Sequence, residues 1–259
     1  MKTLVLDFDG VLADSQYETL AVGFNSYLKL NKHTKLFGGQ KITFNNFDRI
    51  KREYKTIVSQ YKKLRPFGID NFCPYVFLAA IENKIKIKSQ NEHIRLRNKM
   101  MPESYKKNLK NFLKERAALQ KKDFDKWVKM DKPVISIINA ARKLQKKCTI
   151  AIATMNRKKS ITRLLKKYGI SPKIIADTTI SPDKKKQFQH IKSKLKAKFD
   201  EMHFVDDQVR HFPKLLKLGI NCYLATWGYN TKEQQQEAKK MGAALLTKEN
   251  FYETFAKIR

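Results

Sequence analysis

Carboxylates occur in pairs at two points where short apolar runs of the chain end. Asp7 and Asp9 follow the first run, and the adjacent residues Asp206 and Asp207 follow another. Carboxylates crowded into one place repel one another and need a cation to stay ionised at neutral pH. A set of oxygen ligands suits Mg²⁺, which commonly also holds a substrate phosphate. An Asp that is free to attack forms an aspartyl-phosphate, and a second Asp two residues along serves as general acid and base.

Groups that suit phosphate oxygens follow two further apolar runs. Thr154 ends one run and precedes Asn156, and three successive lysines open the helix predicted after another. A hydroxyl and an ammonium stabilise the charge that spreads over a transferring phosphoryl group. We expect one lysine to reach the site, and Lys184 fits best by its distance from the apolar positions of its helix, with Lys185 and Lys186 as alternatives. Asn156 either touches the substrate or caps the next helix.

These residues are predicted to meet at one edge of a parallel β-sheet. After residue 131, short apolar segments alternate with helical ones, and such alternation is typical of parallel strands joined by right-handed crossovers. Ligands bind at the carboxyl ends of the strands in sheets of this kind. We therefore expect an α/β core made of residues 1–15 and 131–259. Its five predicted strands are 4–8, 149–154, 173–177, 202–205 and 221–226.

The segment 16–130 is predicted to be helical throughout, as an insertion into this core. Apolar residues at spacings of three and four predict one helix over about 44–63. Ser104 is a candidate N-cap for a later helix of the insertion, and Asp131 is a candidate N-cap for the first helix of the core.

The four site segments, in this order, resemble the motifs of the haloacid dehalogenase superfamily of phosphatases. Asp7–Ser15 (DFDGVLADS) is similar to the first motif and Ile150–Thr154 to the second, while the helix around Lys184 is similar to the third. His203–Asp207 resembles the double-aspartate form of the fourth motif, and four motifs in order behind four strands are specific. The resemblance implies a Rossmann-like core with an inserted helical cap of the C1 type. Dehalogenases of this superfamily lack an acid at the position of Asp9, so the resemblance implies a phosphatase.

The resemblance also implies a role for each site residue. Asp7 would be the nucleophile and a Mg²⁺ ligand, and Asp9 would be the general acid and base, binding the metal through its backbone carbonyl. Asp207 aligns with the usual direct metal ligand and has Asp206 beside it. Thr154 and a lysine would bind phosphate.

A shorter resemblance lies in the segment Ala225–Asn230, which is similar to the Trp-Gly-Tyr loop of phosphoglycolate-phosphatase-like members. We expect a Mg²⁺-dependent phosphatase that forms an aspartyl-phosphate on Asp7 and acts on a small phosphorylated metabolite. The alternatives are a nucleotide or polynucleotide-end phosphatase and a phosphomutase. A further alternative is a non-enzymatic protein that binds nucleic acid or an acidic surface, against which the intact pair of Asp7 and Asp9 argues.

The chain carries 55 Lys and Arg against 24 Asp and Glu, a net charge of +31. Such a field attracts nucleic acid and acidic membranes. Only 11 of these cations are Arg, and the excess is even: residues 16–130 hold 26 cations and 10 acids, and the rest holds 29 and 14. Both observations favour a lysine-rich composition over a dedicated nucleic-acid surface.

The three cysteines, Cys73, Cys148 and Cys222, are far apart and form no C-x-x-C pair. This pattern is typical of a reducing compartment rather than of a disulfide framework. The first apolar run is too short for a signal peptide, and no apolar stretch has the length of a membrane span. We expect a soluble, cytoplasmic protein, and the sequence leaves its oligomeric state open.

Overall fold

The structure, a computed structural model, describes residues 2–257. The chain folds as two units. One unit, here called the α/β unit, comprises Met1–Asp14 and Lys132–Arg259. The other, here called the helical unit, comprises Ser15–Asp131 and is inserted in sequence between the two parts of the first.

All the strands of the described chain belong to the α/β unit. In chain order they are β1 (Thr3–Leu6), β2 (Ala13–Asp14), β3 (Lys132–Pro133), β4 (Thr149–Ala153), β5 (Ile174–Ala176), β6 (Met202–Asp206), β7 (Asn221–Ala225) and β8 (Ala244–Leu246). Six of them form one sheet in the order β5-β4-β1-β6-β7-β8, and every neighbouring pair is parallel. β2 and β3 form a separate antiparallel pair where the chain leaves and re-enters this unit.

The sheet has six strands, so the prediction of five was wrong by one. The missed strand is β8, which extends the sheet beyond β7 through the pair Leu224 and Leu245. Its sequence, Ala-Leu-Leu, has neither β-branched nor aromatic residues and is only three residues long. Such a segment lacks the composition and the length by which strands are usually detected.

The first six α-helices of the described chain belong to the helical unit, and the other six belong to the α/β unit. In chain order they are α1 (Gln16–Leu30), α2 (Phe47–Glu53), α3 (Lys55–Leu64), α4 (Cys73–Glu82), α5 (Gln90–Lys122), α6 (Phe124–Met130), α7 (Ile135–Leu144), α8 (Lys158–Lys167), α9 (Lys184–Leu195), α10 (Phe212–Leu216), α11 (Lys232–Lys240) and α12 (Phe251–Ala256). Within residues 2–257, none of these helices combines the length and the apolar character that a membrane crossing requires.

Helix boundaries in the helical unit differ from the predicted ones. The helix predicted over 44–63 is divided into α2 and α3 at Tyr54, whose backbone leaves the helical region at φ −108° and ψ 38°. Ser104 is not an N-cap, because it lies inside α5. That helix begins after Ser89, whose side chain accepts a hydrogen bond from the Glu92 N–H at 3.3 Å. This pattern of Ser and Glu three residues apart is a helix-start signal.

The prediction for Asp131 was also wrong. Asp131 ends α6 instead of beginning a helix, since its N–H donates to the carbonyls of Trp127 and Val128. The first helix of the returning chain, α7, begins only at Ile135, after β3.

The central strands of the sheet are buried on both faces. All four residues of β1 and all five of β6 are buried, which explains why these strands read as unbroken apolar runs and not as alternating ones. Phe188 of α9 and Phe212 of α10 pack with Phe204 of β6 in the apolar core of this unit. Apart from His203, the polar side chains of β1 and β6 lie at the ends of these strands.

A buried ion pair links three helices of the helical unit. Arg116 of α5 donates from Nε and from a terminal nitrogen to the two carboxylate oxygens of Glu18 on α1, at 2.8 and 2.7 Å. Trp127 of α6 donates its indole N–H to the same carboxylate at 3.2 Å. All three side chains are buried, and the Arg116 guanidinium lies 4.8 Å from the ring centroid of Phe112. The negative charge is therefore matched by one positive charge and three hydrogen bonds.

Candidate active site

The carboxyl ends of three neighbouring strands, β4, β1 and β6, bring the candidate residues together. Asp7 directly follows β1, Thr154 directly follows β4, and Asp206 is the last residue of β6. β1 lies between the other two strands, and the parallel register sets the three ends side by side. Residues far apart in the chain thus share one edge of the sheet.

Three carboxylates, those of Asp7, Asp206 and Asp207, form a buried cluster at this edge. One oxygen from each lies within 4.8 Å of the others. The three residues are only 6%, 0% and 1% exposed. An oxygen-only ligand set of this size suits a hard divalent cation such as Mg²⁺. The cluster comprises three of the four aspartates predicted as metal ligands.

Among the three candidate lysines, Lys184 is the one whose ammonium lies in the cluster. Its Nζ is 3.1 Å from Asp7 Oδ1 and 3.8 Å from Asp206 Oδ2, and the residue is 3% exposed. The next two lysines along the helix are half-buried and exposed. Lys184 also donates to the carbonyl of Ala153 at 2.5 Å, which fixes the ammonium beside the carboxylates.

The protein alone does not supply enough positive charge for this cluster. Burial raises the pKa of Asp7 to about 7; Lys184 opposes this rise, whereas the carboxylates of Asp206 and Asp9 add to it. At neutral pH Asp7 in the metal-free cluster is therefore still protonated in about half of the molecules. A bound divalent cation would take the place of that proton, because it stabilises the ionised form. The donor set and its charge thus fit a Mg²⁺ ion.

Asp206 stays ionised. Burial acts to raise its pKa, but His211, Lys184 and a hydrogen bond from the Gln208 N–H hold the pKa well below its usual range. His211 Nδ1 lies 2.6 Å from Asp206 Oδ2. Burial lowers the pKa of His211 to about 4, although Asp206 opposes this. We therefore assign a neutral ring that donates its Nδ1–H to Asp206.

Asp207 is held by backbone groups and by two glycines. Its Oδ2 accepts a hydrogen bond from the Tyr229 N–H at 2.7 Å and lies 3.5 Å from Gln208 Nε2. A Cβ atom at either Gly10 or Gly228 would overlap the Asp207 side chain. Gly10 also has φ +76°, a conformation that other residues rarely adopt. The Gly of the first motif is therefore required both by its backbone and by the space that Asp207 occupies.

Asp9 lies beside the cluster and is positioned by Asn156. The Asn156 side-chain amide donates to Asp9 Oδ2 at 2.8 Å. The other oxygen, Oδ1, is buried and has no hydrogen-bond partner among the described residues. An unpartnered buried carboxylate oxygen is costly unless it serves a reacting group or a ligand. Asn156, predicted to touch substrate or cap a helix, contacts the candidate general acid.

Thr154 is fully buried at the end of β4. Its Oγ1 accepts the Asn156 N–H at 3.0 Å, so the hydroxyl keeps its own hydrogen to donate. Gln187, which the sequence analysis missed, donates to the backbone carbonyls of Thr154 and Ser181 at 2.9 and 2.8 Å. Gln187 thereby ties the strand end to α9, three residues beyond Lys184.

The loop after β7 braces the turn of the first motif. Trp227 donates its indole N–H to the carbonyl of Val11 at 3.1 Å, and the Tyr229 hydroxyl lies 3.1 Å from Asp14 Oδ1. The sequence marked this loop only through its family resemblance. The sequence analysis also missed His211, which lies only five residues beyond Asp206 but belongs to none of the four motifs.

Comparison with known proteins gives a family and a fold. The family model described as haloacid dehalogenase-like hydrolase matches residues 1–219. No curated protein matches the chain.

Solved structures of three bacterial proteins are similar over nearly the whole chain. A predicted phosphatase from Clostridium acetobutylicum has a TM-score of 0.61 at 13% identity, with 99% of this chain and 98% of that chain covered. A predicted phosphoglycolate phosphatase from Haemophilus somnus has 0.59 at 14%, covering 98% and 97%. A protein from Thermotoga maritima with the provisional name β-phosphoglucomutase has 0.54 at 16%, covering 100% of both. At these identities the structures share the fold, and the family model over residues 1–219 decides the membership: the chain belongs to the haloacid dehalogenase-like hydrolases.

Proposed function

We propose that this hydrolase is a Mg²⁺-dependent phosphomonoesterase that works through an aspartyl-phosphate on Asp7. The observation that carries the proposal is the buried cluster of Asp7, Asp206 and Asp207 with the Lys184 ammonium among the carboxylates. A nucleophilic carboxylate beside a cation site and a fixed ammonium is the arrangement that phosphoryl transfer needs, because this chemistry depends on positioning and charge.

The oxygens of Asp7, Asp206 and Asp207 would hold the Mg²⁺ ion, and the Asp9 backbone carbonyl is a further proposed ligand. When bound, the ion would neutralise charge on the phosphoryl oxygens in the transition state. With the ion bound, Asp7 would be ionised at neutral pH. In the metal-free protein its ionisation is incomplete at that pH, because its pKa is raised to about 7.

In the first step, a carboxylate oxygen of Asp7 attacks phosphorus, and the bond from phosphorus to the ester oxygen breaks. Asp9 gives its proton to that leaving oxygen, with Asn156 fixing the direction of the carboxyl group. Lys184 and the Thr154 hydroxyl hold the phosphoryl oxygens. In the second step, Asp9 takes a proton from a water that attacks phosphorus, which releases inorganic phosphate and restores Asp7.

For the substrate we propose a small phosphorylated metabolite. The similarity of the Trp227–Asn230 loop to phosphoglycolate-phosphatase-like members supports this class, as does the name of the Haemophilus somnus protein. Phosphoglycolate, sugar phosphates and nucleotides are the compounds to screen. Product analysis with hexose phosphates separates release of inorganic phosphate from transfer within the sugar.

The test is hydrolysis of p-nitrophenyl phosphate with Mg²⁺ by the wild type, Asp7→Asn and a control, Asp200→Asn. Asp200 is an exposed acid of the same unit, so its variant makes the same chemical change away from the site. We expect turnover in the wild type and the control, and a rate lower by about a thousandfold or more in Asp7→Asn. EDTA should abolish the activity of the wild type, and added Mg²⁺ should restore it. Equal turnover in Asp7→Asn, or turnover indifferent to EDTA, would contradict the proposal.

A further inference from the structure

The positive charge is even between the two units, but it is concentrated within the α/β unit. Residues 157–198 hold fourteen Lys and Arg against two Asp. The rest of the α/β unit holds fifteen Lys and Arg against eleven Asp and Glu. Twelve of the sixteen excess positive charges of this unit therefore lie in one continuous segment, which a uniform compositional bias does not produce.

This segment folds into α8, β5 and α9, which lie at one side of the sheet, around its terminal strand. β5 is the end strand, with β4 as its neighbour in the sheet. α8 leads into β5 and α9 leads back from it, so right-handed crossovers set the two helices on opposite faces. Exposed cations on α8, on α9 and directly before β5 make up the surface here called the basic edge: Lys158, Lys159, Arg163, Lys166, Lys173 and Lys194.

A cavity of about 480 Å³ opens where the three elements meet. Lys158 from α8, Lys173 before β5, and Lys194 with His190 from α9 all line it. The Asp177 carboxylate lines the cavity too, so three ammonium groups there face one carboxylate and their mutual repulsion is only partly relieved. The cavity therefore favours an anionic ligand.

The two acids of the segment offset only two of its fourteen positive charges. Asp177 accepts hydrogen bonds from the backbone N–H of Lys158 at 2.5 Å and from the N–H and hydroxyl of Thr179. Asp183 caps α9 and pairs with Lys214, which lies outside the segment. With two carboxylates against fourteen cations the segment keeps a net charge of +12, so the edge is strongly positive.

We propose that the basic edge binds the phosphate backbone of nucleic acid. Lys159, Arg163 and Lys166 are exposed along α8 and span about 10 Å of helix, the axial length of about three phosphates of one strand. The two aromatic residues of this segment, Tyr168 and Phe188, are buried, so the surface offers no stacking platform for unpaired bases. Contacts to phosphates alone position a protein without reading sequence. The fitting ligand is thus a duplex, bound through its backbone.

The test uses two variants that remove four lysine charges each from opposite edges of the same sheet. The basic-edge variant takes one lysine from β5's flank, two from α8 and one from α9: Lys159→Gln, Lys166→Gln, Lys173→Gln and Lys194→Gln. The control changes four exposed lysines on α11 and beyond β8: Lys232→Gln, Lys239→Gln, Lys240→Gln and Lys248→Gln. Gln is a good helix former, and circular dichroism checks that both variants fold.

Binding is measured by fluorescence anisotropy across a salt series with a fluorescein-labelled DNA duplex of about 20 base pairs. The duplex carries 5′-hydroxyl ends and the buffer contains EDTA, so the probe offers no phosphomonoester to the active site. The outcome is therefore independent of the proposed phosphatase activity.

We expect the wild type to bind with an affinity that falls steeply with salt. The basic-edge variant should bind about tenfold more weakly or worse, with a salt slope shallower by about three to four, close to 0.9 for each lysine. The control should stay within about threefold of the wild type. The proposal is overturned if the wild type does not bind at low salt or if the two variants lose affinity equally. Equal competition by polyglutamate and unlabelled duplex would also overturn it, in favour of a general acidic partner.

Discussion

Each unit of this hydrolase buries a group of charged side chains, and the two groups differ in how the charge is balanced. In the helical unit, Glu18 is matched by the Arg116 guanidinium and by the Trp127 indole N–H. The contacts are complete, and the result is a structural tie between three helices. Nothing in this group needs a further ion.

The buried charges of the α/β unit are unbalanced. Three carboxylates, from Asp7, Asp206 and Asp207, lie near one ammonium, that of Lys184, and a neutral His211. Burial raises the pKa of Asp7 to about 7; Lys184 opposes the rise and the neighbouring carboxylates add to it. Buried charges that balance one another thus indicate a structural role, whereas a buried excess of negative charge indicates a site that binds a cation.

The sharpest contrast between the two groups is in stability. Glu18→Gln leaves the Arg116 charge buried and uncompensated, so we expect it to lower the free energy of unfolding of the helical unit by about 3–5 kcal/mol. Asp7→Asn relieves repulsion, so in chelator it should leave the free energy of unfolding of the α/β unit unchanged or raise it. Urea unfolding measures both.

The two tryptophans allow the units to be followed separately. Trp127 lies in the helical unit and Trp227 in the α/β unit, so a Trp227→Phe background reports the first and a Trp127→Phe background reports the second. Glu53→Gln is the control for Glu18→Gln, because its pair with Arg49 is exposed and should contribute about 0.5 kcal/mol or less. Equal losses in these two variants would show that burial of the Glu18 pair does not matter.

Magnesium should stabilise one unit and not the other. At a concentration about a hundredfold above its dissociation constant, Mg²⁺ is expected to add about 2.7 kcal/mol to the free energy of unfolding of the α/β unit. The transition reported by Trp127 should not move. Asp207→Asn should lose the stabilisation, whereas the exposed Asp200→Asn should keep it. A shift of both unfolding transitions, or of neither, would contradict specific Mg²⁺ binding by the α/β unit.

Asn156 offers a smaller test of how the active site is positioned. Because its amide fixes Asp9, Asn156→Ala should lower kcat by about tenfold, or about 1.4 kcal/mol, with little change in KM. The exposed Asn139→Ala is the control. A raised KM with unchanged kcat would instead assign Asn156 to substrate binding, which was one of the two roles expected from sequence.

A further expected effect is on the pH dependence of stability without metal. Folded Asp7, with a pKa of about 7, keeps a proton that the unfolded chain releases near its ordinary value of 3.8. The folded state therefore binds more protons, and stability falls as pH rises from about 4 to about 7, by at most about 1.4 kcal/mol per pH unit. Urea unfolding in EDTA should show this fall in the wild type relative to Asp7→Asn. Parallel pH profiles for the two proteins would contradict the raised pKa.

The sequence predicted the active-site edge better than it predicted the helical unit, for a physical reason. The strands before Asp7 and Asp206 are buried on both faces, so an apolar run followed by acids marks each of their ends. Helix boundaries depend instead on caps and tertiary packing. The spacing of apolar residues therefore did not predict the break at Tyr54 or the position of Ser104 inside α5.

Contacts across long stretches of chain were beyond sequence reasoning. The bond between Asn156 and Asp9 joins residues 147 positions apart, and the spacing at either end does not reveal it. The same holds for the packing of Asp207 against Gly228. The concentration of cations in residues 157–198 is present in the sequence. It does not show when residues 16–130 are compared with the rest of the chain, because both parts carry a similar net charge.

The central claim, a phosphoryl group carried by Asp7, can be read directly from the protein. During turnover of p-nitrophenyl phosphate with Mg²⁺, acid quenching followed by borohydride reduction converts an aspartyl-phosphate into homoserine, which peptide mass spectrometry locates. We predict homoserine at position 7 in the wild type, dependent on both substrate and Mg²⁺. An actively hydrolysing protein in which Asp7 stays intact, with homoserine elsewhere or nowhere, would contradict the account.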